Sequence, residues 1–114
     1  MRNYERGRMG EKVAKEYLER KGYVILESNY RSGKEEIDIV CEKEGVVVFV
    51  EVKRRGSDEY GSPYEAIDEK KVESIMRVAE GYLKERELLG KCEIRFDVIG
   101  IGGGRIEHIE GAFK

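Results

Sequence analysis

Asp38, Glu51 and Lys53 are the residues of this chain whose types and spacing could do chemistry. The run Val46-Val47-Val48-Phe49-Val50 reads as a strand buried on both faces, and it ends abruptly in Glu51-Val52-Lys53-Arg54-Arg55. Side chains alternate along a strand, so Glu51 and Lys53 share one face and Val52 takes the other. An acid and an amine at the end of a core strand are costly unless they pair or bind an ion. Upstream, Asp38 interrupts a second strand-like run, Glu36-Ile37-Asp38-Ile39-Val40-Cys41. Two carboxylates on neighbouring strands, with the Val52 carbonyl, suit the oxygen ligands that Mg²⁺ or Mn²⁺ takes. Such an ion can activate water, relieve phosphate charge and stabilise a leaving oxygen. Lys53 would then orient or deprotonate the attacking water, or stabilise charge developing on the phosphate. The plainer reading is a strand-end ion pair of Glu51 and Lys53, with Asp38 a polar edge position.

The elements that must position these residues are legible as periodicities. Residues 5 to 21 read as a helix, with Val13, Ala14, Tyr17 and Leu18 as its apolar stripe and Gly22 as its stop. A strand follows from Tyr23 to about Tyr30, then a turn at Ser32-Gly33-Lys34. Residues 36–42 form a second strand, and Glu44-Gly45 closes a hairpin into a third over 46–54. Gly56 to Gly61 reads as a polar loop. Ser62-Pro63-Tyr64-Glu65 fits a capping box, with Asp68 a rival cap. Ile67, Val72, Ile75, Met76, Ala79, Tyr82 and Leu83 mark a helix running to about Leu89, where Gly90 stops it. Ile94 to Ile101 is a strand, Gly102-Gly103-Gly104 a turn, and Arg105 to Ile109 a short strand. The order αβββαββ predicts one α/β domain over 1–114, with a mixed central sheet flanked by helices.

The bulk numbers bound the function. A chain of 114 residues supports one small core. A hydrophobic content of 39% is too high and too well patterned for disorder. A net charge of −2 excludes a uniformly basic nucleic-acid binder, so any such surface must be local. Cys41 and Cys92 read as reduced, inert thiols, since no CxxC exists. The charged opening lacks a signal peptide, and no apolar run reaches the roughly 20 residues that span a bilayer. A cytoplasmic protein without a membrane partner is expected.

Six segments follow one another in order: Gly10-Glu11-x-x-Ala14-x-x-Tyr17-Leu18, Gly22-Tyr23, Asn29-Tyr30-Arg31, Glu36-Ile37-Asp38-Ile39, Phe49-Val50-Glu51-Val52-Lys53-x-Arg55 and Arg95-Phe96-Asp97-Val98. Nearly the whole chain thereby resembles the YraN family of small bacterial and archaeal proteins. That family belongs with the restriction-endonuclease-like PD-(D/E)XK superfamily and is similar in layout to archaeal Holliday-junction resolvases. The resemblance implies a restriction-endonuclease-like fold. It also implies catalytic or metal roles for Asp38, Glu51 and Lys53, and a site role for Glu11. Position 35 departs from the family pattern, which has Gly where this chain has Glu35. Taken alone, Glu11 reads equally as a first-turn acid favouring the helix dipole.

Clustered cations supply candidate phosphate contacts: Arg31, Arg54, Arg55 and Lys71, the last matching a basic family position. Arg2, Arg6 and Lys70 read as solvated charge. Tyr60 and Tyr64 could stack on unpaired bases or pack against the helix. Arg95 and Asp97 share a strand face and read as a structural ion pair. His108, the only His, is given no chemistry. The expected function is a Mg²⁺-dependent (or Mn²⁺-dependent) endonuclease cleaving structured DNA. The alternatives are a nucleic-acid-binding module with little or no catalysis, and an interaction protein that merely keeps the site geometry. A chain this small would bracket both strands of a duplex as a homodimer.

Overall fold

The computed structural model describes residues 3–54 and 68–113, with the side chains of α1 from Met9 onward. Arg55, Tyr60, Tyr64 and the Ser62-Pro63 box lie outside the described residues, as do the side chains of Arg2, Arg6 and Arg8. The elements are α1 (Asn3–Arg20), β1 (Val24–Ser32), β2 (Glu35–Lys43), β3 (Val46–Arg54), α2 (Glu69–Glu85), β4 (Glu93–Gly102) and β5 (Arg105–Ile109). The strands form one sheet in the order β1-β2-β3-β4-β5. Pairing is antiparallel except between β3 and β4, which run parallel. This is the mixed sheet flanked by helices that the element order predicts, and it is compatible with a restriction-endonuclease-like fold.

Two-residue turns fix the registers. Lys43 pairs Val46 across Glu44-Gly45, and both turn residues take positive φ, 52° and 82°. That is the left-handed pair that matches the twist of a hairpin, and Gly adopts it without steric cost. Counting outward from this turn brings Ile39 to Val50, the last paired rung, and leaves Asp38 and Glu51 as the next residue of each strand. The turn therefore decides which acids can meet. Gly103-Gly104 does the same for β4 and β5, where it sets Ile99 opposite His108.

Strand β3 has a helix over each face, which explains its near-pure Val/Phe composition. Val47 and Phe49 pack with Ile37, Val40 and Phe96 under Ile75, Val78, Ala79, Tyr82 and Leu83 of α2. Val48 and Val50 pack with Ile39, Cys41 and Ile99 under Ala14 and Leu18 of α1. Burying each such side chain contributes about 1.5–3 kcal/mol, so this strand anchors the residues at its end. The Cys41 thiol is buried there, and its pKa is pushed up to about 12 by burial and then by the Asp97 charge.

Helix α1 ends as the sequence predicts. Gly22 turns left-handed at φ 95°, and Tyr23 N–H and Gly22 N–H close onto the Leu18 and Glu19 carbonyls. Helix α2 ends earlier than its apolar periodicity predicts, at Glu85 rather than Leu89. Glu87 takes φ 57°, Leu88 N–H bonds the Leu83 carbonyl, and Leu88 packs onto the α2-side core. The same closing motif forms here around a non-glycine, because a buried Leu in the second position beyond the cap offsets the left-handed strain. At the other end Asp68 is the cap: its Oδ1 accepts from Lys71 N–H at 2.8 Å.

Candidate functional site

Strand β2 breaks its own alternation at Asp38. Ile37 and Ile39 are two residues apart and should share a face, yet Ile37 packs on the α2 side and Ile39 on the α1 side. The β1–β2 pairing passes from Ser28↔Ile39 to Tyr30↔Ile37 in one register but leaves the Asn29/Asp38 rung unpaired, and Asn29 sits at φ 53°. The β2–β3 pairing stops at Ile39↔Val50. The strand thus rotates through Asp38 and opens a gap beside the end of β3. The Asp38 carboxylate fills that gap: its Oδ2 accepts from Val52 N–H at 2.8 Å, replacing the lost ladder bond. A strand residue's N–H and C=O point to the same neighbour, so the Val52 carbonyl faces the gap too.

Glu51 lies beside Asp38 on the α2 side and is 6% exposed. Burial raises its pKa, against the opposing charges of Lys71 and Lys53. Burial, and next the Glu51 charge, push the Asp38 carboxyl up to about 8, despite the Val52 hydrogen bond; Glu11 and Glu36 add to the rise. With both acids ionised, Glu51 Oε2 is buried and accepts no hydrogen bond from any described residue. Adjacent carboxylates that repel, one with an orphaned oxygen, are an arrangement a cation would relieve.

Glu11 approaches from α1 and Glu36 from β2. One carboxylate oxygen from each of Glu11, Glu36 and Asp38 lies within 4.8 Å of the others. The donors are all hard oxygens, with no His or Cys, and this set fits Mg²⁺ or Mn²⁺ rather than Zn²⁺. Glu36 was not singled out from sequence, although it stands two residues before Asp38 and so within its reach. Its Oε2 also meets Arg31 Nη2 at 3.1 Å, which places Arg31 at the acidic rim, mostly exposed.

The basic residues divide between the two faces. The stem of Arg54 runs beside Gly10 of α1. Lys53 shares the α2 face with Glu51 and lines an open cleft of about 410 Å³ with Asp68, Lys70, Lys71 and Ser74. Lys71 Nζ is 3.5 Å from Glu51 Oε1, so this residue meets an acid of the site directly. Glu35, the residue that departs from the family pattern, points away to α2. There it pairs with Arg77 at 2.8 Å, and hydrogen bonds from Arg77 and Ser74 lower its pKa.

On the α1 face, Asp97 organises a polar network. It is fully buried and accepts from Arg95 Nε and Nη2, both at 2.8 Å, and from Gly111 N–H at 3.1 Å. His108 Nε2 lies 2.7 Å from Asp97 Oδ2. A carboxylate only accepts, so Nε2 carries the proton, leaving Nδ1 of a neutral ring to accept from Tyr17 O–H at 3.0 Å. Arg95 also donates to Tyr23 O–H at 2.6 Å. The Arg95–Asp97 pair is the structural one read from sequence. His108, given no chemistry there, joins it and ties β5 to α1.

The acid pair has a pH signature. Asp38 holds its proton to about pH 8 when folded, against an ordinary unfolded value near pH 4. Between those values the native state binds the extra proton, so metal-free stability falls as pH rises and levels off above about 8. Melting temperatures in EDTA from pH 4.5 to 8.5 should decline. Asp38→Asn keeps an acceptor for Val52 N–H and removes the charge. It should flatten the decline and exceed wild type at pH 8 by on the order of 2–3 kcal/mol. A variant less stable than wild type at pH 8 would contradict this account of the pair.

Comparison with known proteins gives a consistent result. The model of "Uncharacterised protein family UPF0102" matches residues 10–101. A UPF0102 protein of Persephonella marina is 48% identical over 113 residues, covering 99% of this chain and 97% of the relative. One from Clostridioides difficile is 45% identical over 115 residues, covering 99% and 100%. One from Sulfurihydrogenibium is 44% identical over 110 residues, covering 96% and 95%. With a family model spanning the site strands and relatives aligned from end to end, the chain belongs to the UPF0102 family, the YraN family that its ordered motifs resemble.

Proposed function

We propose that this protein is a Mg²⁺- or Mn²⁺-dependent endonuclease acting on structured DNA such as branched or flapped duplexes. The observation that supports this reading is the cluster of acids at the break in β2: Asp38 accepts from Val52 N–H there, Glu11 and Glu36 bring a carboxylate oxygen within 4.8 Å of it, and the neighbouring Glu51 keeps one buried oxygen without a hydrogen-bond partner among the described residues. Asp38, Glu51 and the Val52 carbonyl would hold the ion, with Glu11 joining directly or through a water. When bound, the ion would supply charge relief on the phosphate and an acidified water. Lys53, on the Glu51 face, orients or deprotonates that water and offsets charge developing on the phosphate. Arg31, Arg54, Arg55 and Lys71 contact the backbone around the cut, which supplies the local basic surface that an acidic chain needs.

The second reading, a binding module with little or no cleavage, is favoured by one observation. Glu51 already has a protein cation, Lys71, at 3.5 Å. Branched, flapped and linear DNA incubated with Mg²⁺ or Mn²⁺ against an EDTA control separates the two. Cleavage of a structured probe only with metal supports the endonuclease. No cleavage, with salt-dependent binding retained, leaves the module. In either case binding should weaken with salt, and Arg54→Ala should reduce the log–log slope by about one. Affinity independent of salt would exclude both.

A further inference from the structure

Lys71 meets the site in an unusual way. Its backbone is pinned: Asp68 caps α2 through Lys71 N–H at 2.8 Å. Its side chain is 39% exposed and lines the open cleft with Lys53, Asp68, Lys70 and Ser74. Its ammonium stands 3.5 Å from Glu51 Oε1, while the Glu51 side chain is only 7% exposed and its other oxygen has no hydrogen-bond partner among the described residues. A divalent ion on Glu51 and an ammonium on the same carboxylate would lie within about 5 Å of each other and repel strongly. The two cations therefore compete for one acid, and only one of them has a flexible four-carbon stem on which to leave.

We propose that the Lys71–Glu51 ion pair is an exchangeable latch: a divalent cation arriving at Asp38 and Glu51 displaces the Lys71 ammonium, which then takes a phosphodiester oxygen in the cleft that Lys71 lines with Lys53, Lys70 and Ser74. This rests on the metal reading above and deepens it by coupling cation loading to phosphate capture. Before loading, Glu51 holds Lys71 and the acids repel phosphate. After loading, the acids are neutralised and the Lys71 ammonium is released from Glu51 to the cleft that it lines with Lys53 and Lys70. Linkage makes the coupling reciprocal, so DNA must tighten the cation by the same factor that the cation tightens DNA.

The test compares wild type, Lys71→Met and Lys71→Arg by electron paramagnetic resonance titration of Mn²⁺ without DNA. Lys71→Met removes the competitor and should bind Mn²⁺ tighter by about three- to tenfold, the scale of one partly exposed charge at short range. Lys71→Arg keeps the charge and should stay within about twofold of wild type. With Ca²⁺ in place of Mn²⁺, to limit cutting, the gain in branched-DNA affinity on adding metal should be smaller in Lys71→Met than in wild type. Equal or weaker Mn²⁺ binding by Lys71→Met, in a wild type that binds Mn²⁺, overturns the latch and leaves the metal reading standing. A wild type that binds no Mn²⁺ overturns both.

Discussion

Lys53→Ala is expected to slow metal-dependent cleavage of branched DNA by about 10²–10⁴-fold while leaving DNA affinity within about threefold of wild type. The asymmetry follows from its position. Lys53 lies on the Glu51 face at the end of a strand anchored by two cores, so under the proposed mechanism it would act at the reacting phosphate and contribute little to the overall hold on the DNA. In that mechanism its ammonium would meet charge that grows only as the phosphodiester reacts, and such interactions accelerate chemistry without adding to ground-state binding. Lys53→Arg keeps the charge but neither the shape nor the capacity to give up a proton, and should also be slow. Single-turnover cleavage, with binding measured in Ca²⁺, checks both halves. Cleavage by Lys53→Ala as fast as wild type would remove the catalytic reading and leave the binding module.

Asp97→Ala is expected to be the most destabilising single change on the α1 face, by about 3–5 kcal/mol at neutral pH. It deletes the common acceptor of Arg95, His108 and Gly111 and leaves a guanidinium without its bidentate partner in a mostly buried site. Burial alone would raise the Asp97 pKa, but the hydrogen bonds from Arg95, His108 and Gly111 outweigh it and hold the carboxyl below its ordinary value. The native state therefore favours the ionised form. Its contribution is full above the unfolded value, near pH 4, and is lost as pH falls through the depressed native value. The gap between wild type and Asp97→Ala in urea midpoints should accordingly be widest near neutral pH and narrow below pH 4. Equal midpoints at pH 7 would contradict this role. So would a gap that widens in acid.

The two networks work in opposite directions. Asp97 is satisfied by four hydrogen bonds and strengthens the fold, whereas Asp38 and Glu51 repel and weaken it once both are ionised. Strain of that kind is stored at functional sites, where a stability cost accompanies readiness to bind. The same contrast explains why Asp38→Asn is expected to stabilise and Asp97→Ala to unfold.

Much of this was written in local sequence. Strand β3 declared itself by an apolar run that only a strand covered on both faces would carry, and its charged end marked the candidate site. The Glu44-Gly45 turn is local too, and a two-residue turn leaves one register, which sets Ile39 against Val50 and puts Asp38 and Glu51 next along their strands. Gly22 stopped α1 because only a residue without Cβ takes that conformation freely. Other features were decided by packing between distant segments. Helix α2 ended early because Leu88 found the core, a preference its own periodicity does not encode. His108 met Asp97 only because β5 pairs with β4 and α1 lies over both. The rotation of β2 that turns Asp38 into the gap shows in the faces taken by Ile37 and Ile39, not in their identities. Glu11, Glu36 and Lys71 reach the acid pair from a helix, a strand and a second helix, and no spacing in the chain specifies how helices dock on a sheet. Sequence determined which strand ends in the candidate acid and which neighbouring strand carries its partner acid. Tertiary structure decided which charges surround that pair, because those contacts join residues far apart along the chain.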